Sequence, residues 1–227
     1  TAARRIAIGA PNTPSDNRGL YGDVAIGRDC IFAPNVFLSS GTHTFDAIPH
    51  RLIHEQERLR PVPDRPIKIF DDCWFGINAW IAPGVTVGRG CVLGANSVLT
   101  QDLPPYSVAV GNPAQVIRQR LAFRPKARID AAADGDAPYF YDGFAANYAD
   151  SRGCDPEFMV ALARSGARAV RLCLSGSSGD IVFGSERRAI PAAPDIVEFP
   201  LPSGADTVSF LRFRASGRCR VRWAELI

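Results

Sequence analysis

The stretch IFDDCWFGINAWIAPGVTVGRGCVLGANSVLTQDLP, residues 69–104, repeats with a period of six residues. The first position of each six-residue unit is apolar, and the same phase already holds over residues 20–43. The residues at this position are Leu20, Ile26, Phe32, Leu38, Ile69, Phe75, Ile81, Val87, Leu93 and Leu99. A short period this regular indicates a stacked repeat architecture, in which equivalent positions point the same way.

Two further positions of the unit are restricted in size. The second position is mostly small, as at Gly27 and Gly76, which suits a tight corner. The fifth position is small or medium, and Cys30, Cys73 and Cys91 all occupy it. A position that repeats in this way faces inward, so these three cysteines are predicted to be core residues. We expect all the cysteines to be reduced thiols, because their spacing is irregular and no zinc-type Cys/His pairing occurs.

A unit with one corner and one short strand predicts a triangular coil, closed every three units, whose strands stack in parallel on the next coil. The fold class is therefore mainly β, with a parallel β-helix as its main part. The period is interrupted at residues 44–66, which are predicted to leave the coil at a corner as an extruded loop. The hand of the coil does not follow from the period.

Three segments resemble the hexapeptide-repeat acetyltransferases, and within them the galactoside, maltose and polysaccharide O-acetyltransferases. The segments are IGRDCIFAPNVFLSSGTHTFD at residues 26–46, the interruption at 44–66, and the run from residue 69 through the closing tail GNPAQVIRQR at 111–120. The resemblance implies a left-handed coil within a domain over residues 1–120. It also implies a homotrimer with active sites between subunits.

The same resemblance implies an activity, transfer of an acetyl group from acetyl-CoA to a hydroxyl. His43 ends the last unit before the loop, where the family has its catalytic histidine. A neutral imidazole near pH 7 can take the proton of an attacking hydroxyl. We therefore predict that His43 is the general base.

The cofactor implied by the resemblance is acetyl-CoA, as acyl donor, with no metal. The residues that match the family's cofactor positions are Trp74, Gly76, Ala95, Thr100, Gln101, Gln115 and Arg118. Gln115 stands where the family usually has Lys or Arg, which removes one contact to the 3′-phosphate. Arg120 is an alternative source of that contact.

The predicted acceptor is a sugar hydroxyl of a bacterial surface polysaccharide or its precursor. Asn12 and Asn17 fall about where relatives begin their acceptor pocket. Close relatives acetylate nitrogen, so N-acetylation of a nucleotide-activated amino sugar is the alternative. Two readings from other classes are a metal-dependent hydratase and a non-catalytic β-helix assembly module. His50 and His54 are four residues apart, a spacing that could bind a metal on a helix.

Composition limits the remaining classes of function. With 46% hydrophobic and 22% charged residues the chain is expected to fold, and a net charge of +3 is small for a nucleic-acid-binding protein. No apolar run approaches the roughly 20 residues that cross a bilayer. The first residues have too short an apolar stretch for a signal peptide, so a cytoplasmic location is expected.

After residue 120 the period ends. The polar, alanine-rich residues 121–134 are predicted to be a linker, and 135–227 a small β-rich domain of unknown role. Its first element is predicted to be a short helix, with Asp155 as N-cap, Pro156 at the first position and Gly166 past the end. The following alternating segments, at 169–174, 179–184, 195–201, 207–215 and 218–226, are predicted to be antiparallel strands.

Overall fold

The computed structural model describes residues 6–9, 19–148, 151–164, 166–202 and 208–227. The chain divides into two compact units after Ala122, and each unit has its own hydrophobic core. The elements of the first unit are β1 (Ile6–Ile8), β2 (Gly19–Tyr21), β3 (Val24–Ile26), β4 (Ile31–Phe32), β5 (Phe37–Ser39), α1 (Ile53–Leu59), β6 (Ile67–Ile69), β7 (Trp74–Phe75), β8 (Trp80–Ile81), β9 (Thr86–Val87), β10 (Val92–Leu93), β11 (Val98–Leu99), β12 (Ser107–Gly111) and β13 (Ala114–Gln119). The elements of the second unit are β14 (Arg128–Asp130), a 3₁₀ helix (Asp134–Tyr139), β15 (Phe140–Tyr148), β16 (Ser151–Ala163), β17 (Ala169–Gly176), β18 (Asp180–Phe183), β19 (Glu186–Ala189), β20 (Asp195–Pro200), β21 (Val208–Ala215) and β22 (Cys219–Leu226).

The strands of the first unit form three sheets, in the orders β1-β3-β6-β9, β2-β5-β8-β11 and β4-β7-β10-β12-β13. From β2 to β10, consecutive strands along the chain belong to the three sheets in turn, and strands within a sheet pair in parallel. The exception is β13, which folds back antiparallel to β12. This is the three-sided coil of parallel strands that the six-residue period predicts.

The core of the coil is built from the first and fifth positions of the repeat. Every first-position residue is buried except Leu20, which is half-buried. Every fifth-position residue is buried except Thr42, which lies where the chain leaves the coil. The predicted core thiols Cys30, Cys73 and Cys91 are buried and form no disulfide. The inward orientation of both positions is therefore confirmed.

Asparagine side chains mark one corner of successive coils. Asn78 donates to the side-chain oxygen of Asn96 at 2.9 Å, and these residues are 18 apart in sequence. Asn35 donates to Asn78 at 3.1 Å, although these two are 43 apart. All three have φ between 56° and 59°, in the left-handed region that Asn tolerates better than most residues. The interval widens from 18 to 43 because the extruded loop leaves the coil between Asn35 and Asn78.

A buried carboxylate joins neighbouring coils. Asp71 is 1% exposed; its Oδ1 accepts the backbone N–H of Arg28 at 2.8 Å, and its Oδ2 accepts Nη1 of Arg89 at 3.0 Å. Nε of Arg89 donates in turn to the Tyr106 hydroxyl at 3.2 Å. Asp71, Arg89 and the Tyr106 hydroxyl are thus all hydrogen-bonded. The Asp71–Arg89 ion pair can therefore be buried.

The second unit is one nine-stranded sheet with antiparallel pairing. The five predicted strands are present as β17, β18, β20, β21 and β22. The predicted short helix is wrong, because Asp155 and Pro156 lie inside β16. This strand pairs with β15, β21 and β22, and it buries Phe158 and Leu162 in the core. Tertiary pairing therefore overrides the local helix signals.

Two further expectations differ from the structure of this unit. Within the predicted linker 121–134, β14 pairs with β22 and Ile129 is fully buried, so this segment belongs to the second unit from residue 123 onward. The expectation that every cysteine is reduced is also wrong, because Cys154 and Cys219 form a disulfide with Cα atoms 5.7 Å apart. No helix in the described part of the chain has the length and apolar character to cross a bilayer.

Candidate active site

His43 lies just past the point where the chain leaves the coil. Ser40 fixes that point: it is fully buried, and its hydroxyl accepts the backbone N–H of Asp23 at 2.8 Å. The Ser40 carbonyl accepts the N–H of Arg65 at 2.8 Å, where the chain returns. The extruded loop therefore leaves and rejoins the coil at one place. His43 is held close to that place.

The extruded loop has its own internal anchor, Gln56 on α1, which is 1% exposed. Its Oε1 accepts the N–H of Ile48 at 2.9 Å, and its Nε2 donates to the carbonyls of Phe45 and Arg51, each at 3.0 Å. These bonds satisfy backbone groups that have no partner in a ladder. They fix α1 relative to the start of the loop.

The next residue of α1, Glu57, faces the histidine. Its Oε2 lies 3.7 Å from Nδ1 of His43 and accepts the backbone N–H of Thr44 at 2.7 Å. Thr44 is buried, and its hydroxyl donates to the carbonyl of Arg60. A carboxylate beside one ring nitrogen favours a proton there and leaves the other nitrogen to accept one. His43 itself is 81% exposed, so that second nitrogen is accessible.

A cavity of about 390 Å³ opens beside His43. One part of its wall is aromatic, with the rings of Tyr21 and Phe37 5.3 Å apart and Trp80 on the strand next to Phe37. The residues that line it are Tyr21, Gly22, Phe37, Ser39, Gly41, Thr42, His43, Glu57, Val62, Asp64 and Trp80. A cleft with an apolar face and a few convergent polar groups is typical of a small-molecule site.

None of the residues predicted to bind the cofactor lines this cavity. Gly76 and Ala95 do lie together at stacked corners, where a Cβ on Gly76 would stand 2.5 Å from the Ala95 nitrogen. Trp74 is half-exposed on β7, paired with Val92 of β10. Thr100 and Gln101 are exposed beyond the end of β11. These positions are therefore distributed over the coil, away from the cavity wall.

The two arginines of the closing tail, Arg118 and Arg120, differ in their contacts. Gln115 and Arg118 are exposed on β13, and the Arg118 guanidinium has no hydrogen-bond or ion-pair partner in the described part of the chain. Arg120 instead donates to the carbonyls of Asp72 and Gly90 and forms an ion pair with the Asp72 carboxylate at 3.0 Å. Arg118 is therefore available for an anionic ligand, whereas Arg120 is already bound to residues of the coil.

The other candidate residues give no site in the described structure. His54 lies on α1 but His50 precedes it, and no group of three or more potential metal ligands is present among the described residues. Asn12 and Asn17 lie outside the described residues. The acceptor positions predicted there stay a prediction.

The sequence alone does not identify Glu57, Asp64 or the aromatic wall as parts of the site. The loop carries no period, so nothing in it shows which of its acidic side chains faces His43. The aromatic wall had a signal: Phe37 and Trp80 both occupy the sixth position of the repeat, next to an inward first position. Because strand side chains alternate, that position faces outward. His43 occupies the same position of its own unit.

Part of the repeat matches a known family model. Residues 66–101 match the family model described as a hexapeptide repeat of succinyl-transferase. These residues form hexapeptide repeats. The resemblance to the hexapeptide-repeat acetyltransferases that the sequence predicts is thereby confirmed for this part of the chain.

Individual relatives are named as acetyltransferases. A Schizosaccharomyces pombe protein with an acetyltransferase name is 38% identical over 96 residues, 42% of this chain and 43% of that protein. The Escherichia coli galactoside O-acetyltransferase is 40% identical over 96 residues, 42% of this chain and 44% of its own. A solved maltose O-acetyltransferase from Clostridium difficile is 29% identical with a TM-score of 0.42, covering 51% and 70% of the two chains. The chain spans less than half the length of these two curated relatives.

Proposed function

We propose that this chain is an acetyl-CoA-dependent O-acetyltransferase that acts on a sugar hydroxyl, with His43 as the general base. The observation that carries the proposal is the His43 and Glu57 pair at the rim of the cavity, with 3.7 Å between Nδ1 and Oε2. The relatives named as acetyltransferases support the reaction class.

The pair supports a simple proton path. The Glu57 carboxylate lies 3.7 Å from Nδ1 of His43, so we assign the proton of the neutral imidazole to Nδ1. Nε2 then accepts the proton of the acceptor hydroxyl while the oxygen bonds to the acetyl carbon and the carbon–sulfur bond breaks. The Glu57 carboxylate stabilises the resulting imidazolium by its charge. His43 then holds that proton at Nε2 for the departing sulfur. No covalent bond between the chain and the acetyl group is needed.

The acyl donor supplies an acetyl group activated as a thioester. Arg118 fits its phosphates, because the guanidinium is exposed and has no partner in the described structure. Gly76 and Ala95, which pack together at stacked corners, are proposed for this site on the family resemblance. Trp74, Thr100, Gln101 and Gln115 are the further residues proposed for this site.

We infer a left-handed coil and a homotrimer from the resemblance to the hexapeptide-repeat acetyltransferases. Exposed apolar side chains on the coil support association: Ile31 and Trp74 are paired on neighbouring strands, and each is about half-exposed. A ring of three subunits would cover such a row by heterologous contacts. The His43 cavity would then adjoin a second subunit.

The acceptor proposed is a sugar unit of a bacterial surface polysaccharide or its precursor. The aromatic wall of Tyr21, Phe37 and Trp80 supports a sugar, because ring faces pack against the apolar faces of sugars. The cytoplasmic location stays a prediction. Disulfides are rare in reducing compartments, so the Cys154–Cys219 disulfide counts against it.

The test is acetyl-CoA consumption with a panel of neutral sugars, amino sugars and nucleotide-activated amino sugars. His43→Ala should reduce turnover of the best acceptor by roughly 10²- to 10⁴-fold, the usual contribution of general-base catalysis. Because His43 is 81% exposed, the same variant should keep the melting temperature of the parent protein.

The matched control is His50→Ala, which removes an exposed histidine of the same loop and should leave turnover unchanged. Equal turnover in His43→Ala and the parent would reject His43 as the base. A preference for the amino group of an amino sugar would assign the chain to N-acetylation instead.

A further inference from the structure

The second unit contains a cavity of about 590 Å³ that has no part in the proposed transfer. It lies where the start of β16 and the end of β17 meet the start of β22. The residues that line it are Gly153, Cys154, Ser175, Gly176, Ser177, Ala192, Arg218, Cys219 and Arg220. This volume is within the range of small-ligand sites, roughly 300 to 1,000 Å³.

The charged residues that line this cavity are all basic. Two arginines, Arg218 and Arg220, are among the lining residues, and no acidic residue is. Other arginines of this unit are paired with acids, as in Arg128–Glu225, Arg171–Glu198, Arg187–Asp180, Arg188–Glu186, Arg212–Glu157 and Arg214–Glu157. The Arg218 guanidinium has no such partner in the part of the chain that the structure describes. An anion is therefore the complementary ligand.

The backbone that carries Arg218 is held on both sides. Its N–H donates to the Ser177 hydroxyl at 3.0 Å, and its carbonyl accepts the N–H of Ser177 at 2.9 Å. A Cβ on Gly176 would stand 2.0 Å from the Arg218 carbonyl oxygen, so this approach requires glycine. The adjacent Cys219 is tied to Cys154 by the disulfide. The arginine is therefore presented from a fixed position, which lowers the ordering cost of binding.

The remaining lining groups decide which anion fits. The Ser175 hydroxyl, which also lines the cavity, can hydrogen-bond to a sugar hydroxyl. No aromatic side chain lines the cavity, so it has no surface on which a nucleic-acid base could stack. A lone phosphate would leave most of 590 Å³ unfilled.

We propose that this cavity binds the carboxylate of an acidic sugar unit, with Arg218 as its ligand. The planar guanidinium matches a carboxylate with two parallel hydrogen bonds, which a lysine cannot reproduce. The second unit is then a binding module for an acidic glycan. The inference stands whether or not the first unit transfers an acetyl group.

The test is calorimetric titration of the full chain, without acetyl-CoA, with trigalacturonate at low ionic strength. Binding is expected, weakening as salt is raised. Arg218→Ala should lower the affinity at least about tenfold, the value of one charge-assisted hydrogen bond. Arg218→Lys should lower it by less, because the charge remains.

The matched control is Arg212→Ala, which removes one positive charge from the same sheet at a residue paired with Glu157, and it should bind as the parent does. Circular dichroism of each variant checks the fold. Equal binding by Arg218→Ala and the parent would overturn the proposal. So would equal binding of neutral maltotriose, or inorganic phosphate bound more tightly than trigalacturonate.

Discussion

Glu57 is the acidic residue that lies beside His43, the proposed general base. The 3.7 Å separation between Oε2 and Nδ1 exceeds a hydrogen bond, so the influence that we propose for the carboxylate is that of its charge. We expect Glu57→Gln to lower turnover, by less than His43→Ala does, because Gln can still accept the Thr44 N–H but carries no charge. The KM for acetyl-CoA should not change.

Steady-state kinetics checks this, with Glu55→Gln as the control on the same helix. Unchanged turnover in Glu57→Gln would show that the carboxylate has no influence on the base.

The core thiols make a pH prediction. Burial raises the pKa of Cys91 from its ordinary 9.0 to about 11, and burial also holds the pKa of Cys73 well above its usual range. Below pH 9 both folded and unfolded chains keep the Cys91 proton. Between pH 9 and about 11 only the unfolded chain loses it, so stability falls as the pH rises, by roughly 1 kcal/mol per pH unit for this thiol.

Urea unfolding of the parent and Cys91→Ala across this range measures the effect. The variant should show a smaller loss of stability with pH, and equal slopes would contradict the assignment.

At the scale of elements, the Asp71 carboxylate links consecutive coils. Asp71→Ala leaves Arg89 without its 3.0 Å ion pair and Arg28 without a backbone acceptor. Breaking one side of a buried pair costs about 3 to 5 kcal/mol, so the first unit should unfold at a markedly lower urea concentration. Asp71→Asn should lose less, because its amide oxygen can still accept from Arg28. A loss below about 1 kcal/mol in Asp71→Ala would contradict the role of the network.

The elements also show what the sequence could predict. The coil was predictable because each inward side chain recurs in a fixed phase, from Ile26 to Leu99, and the exceptions fall at its first unit and at the loop. The strand β16 was not, because Asp155, Pro156 and Gly166 are local helix signals whereas its pairing with β21 and β22 is long-range. Glu57 was not predictable either, since its position beside His43 depends on how Gln56 folds the loop.

At the scale of the whole molecule, two separate cores predict two unfolding transitions. The Cys154–Cys219 disulfide closes a loop of 65 residues within the second unit. Reduction should therefore destabilise only that unit, by about 4 kcal/mol in the chain-entropy model. Differential scanning calorimetry with and without a phosphine reductant measures this. A shift of both transitions, or of neither, would contradict the assignment.

We propose that the coil binds acetyl-CoA, and calorimetric titration of CoA into the parent protein tests this without knowledge of the acceptor. We predict micromolar binding with about one site per chain, and weaker binding by Arg118→Ala than by the control Arg124→Ala, an exposed arginine of the second unit. No heat at high CoA concentration would contradict the acetyltransferase assignment.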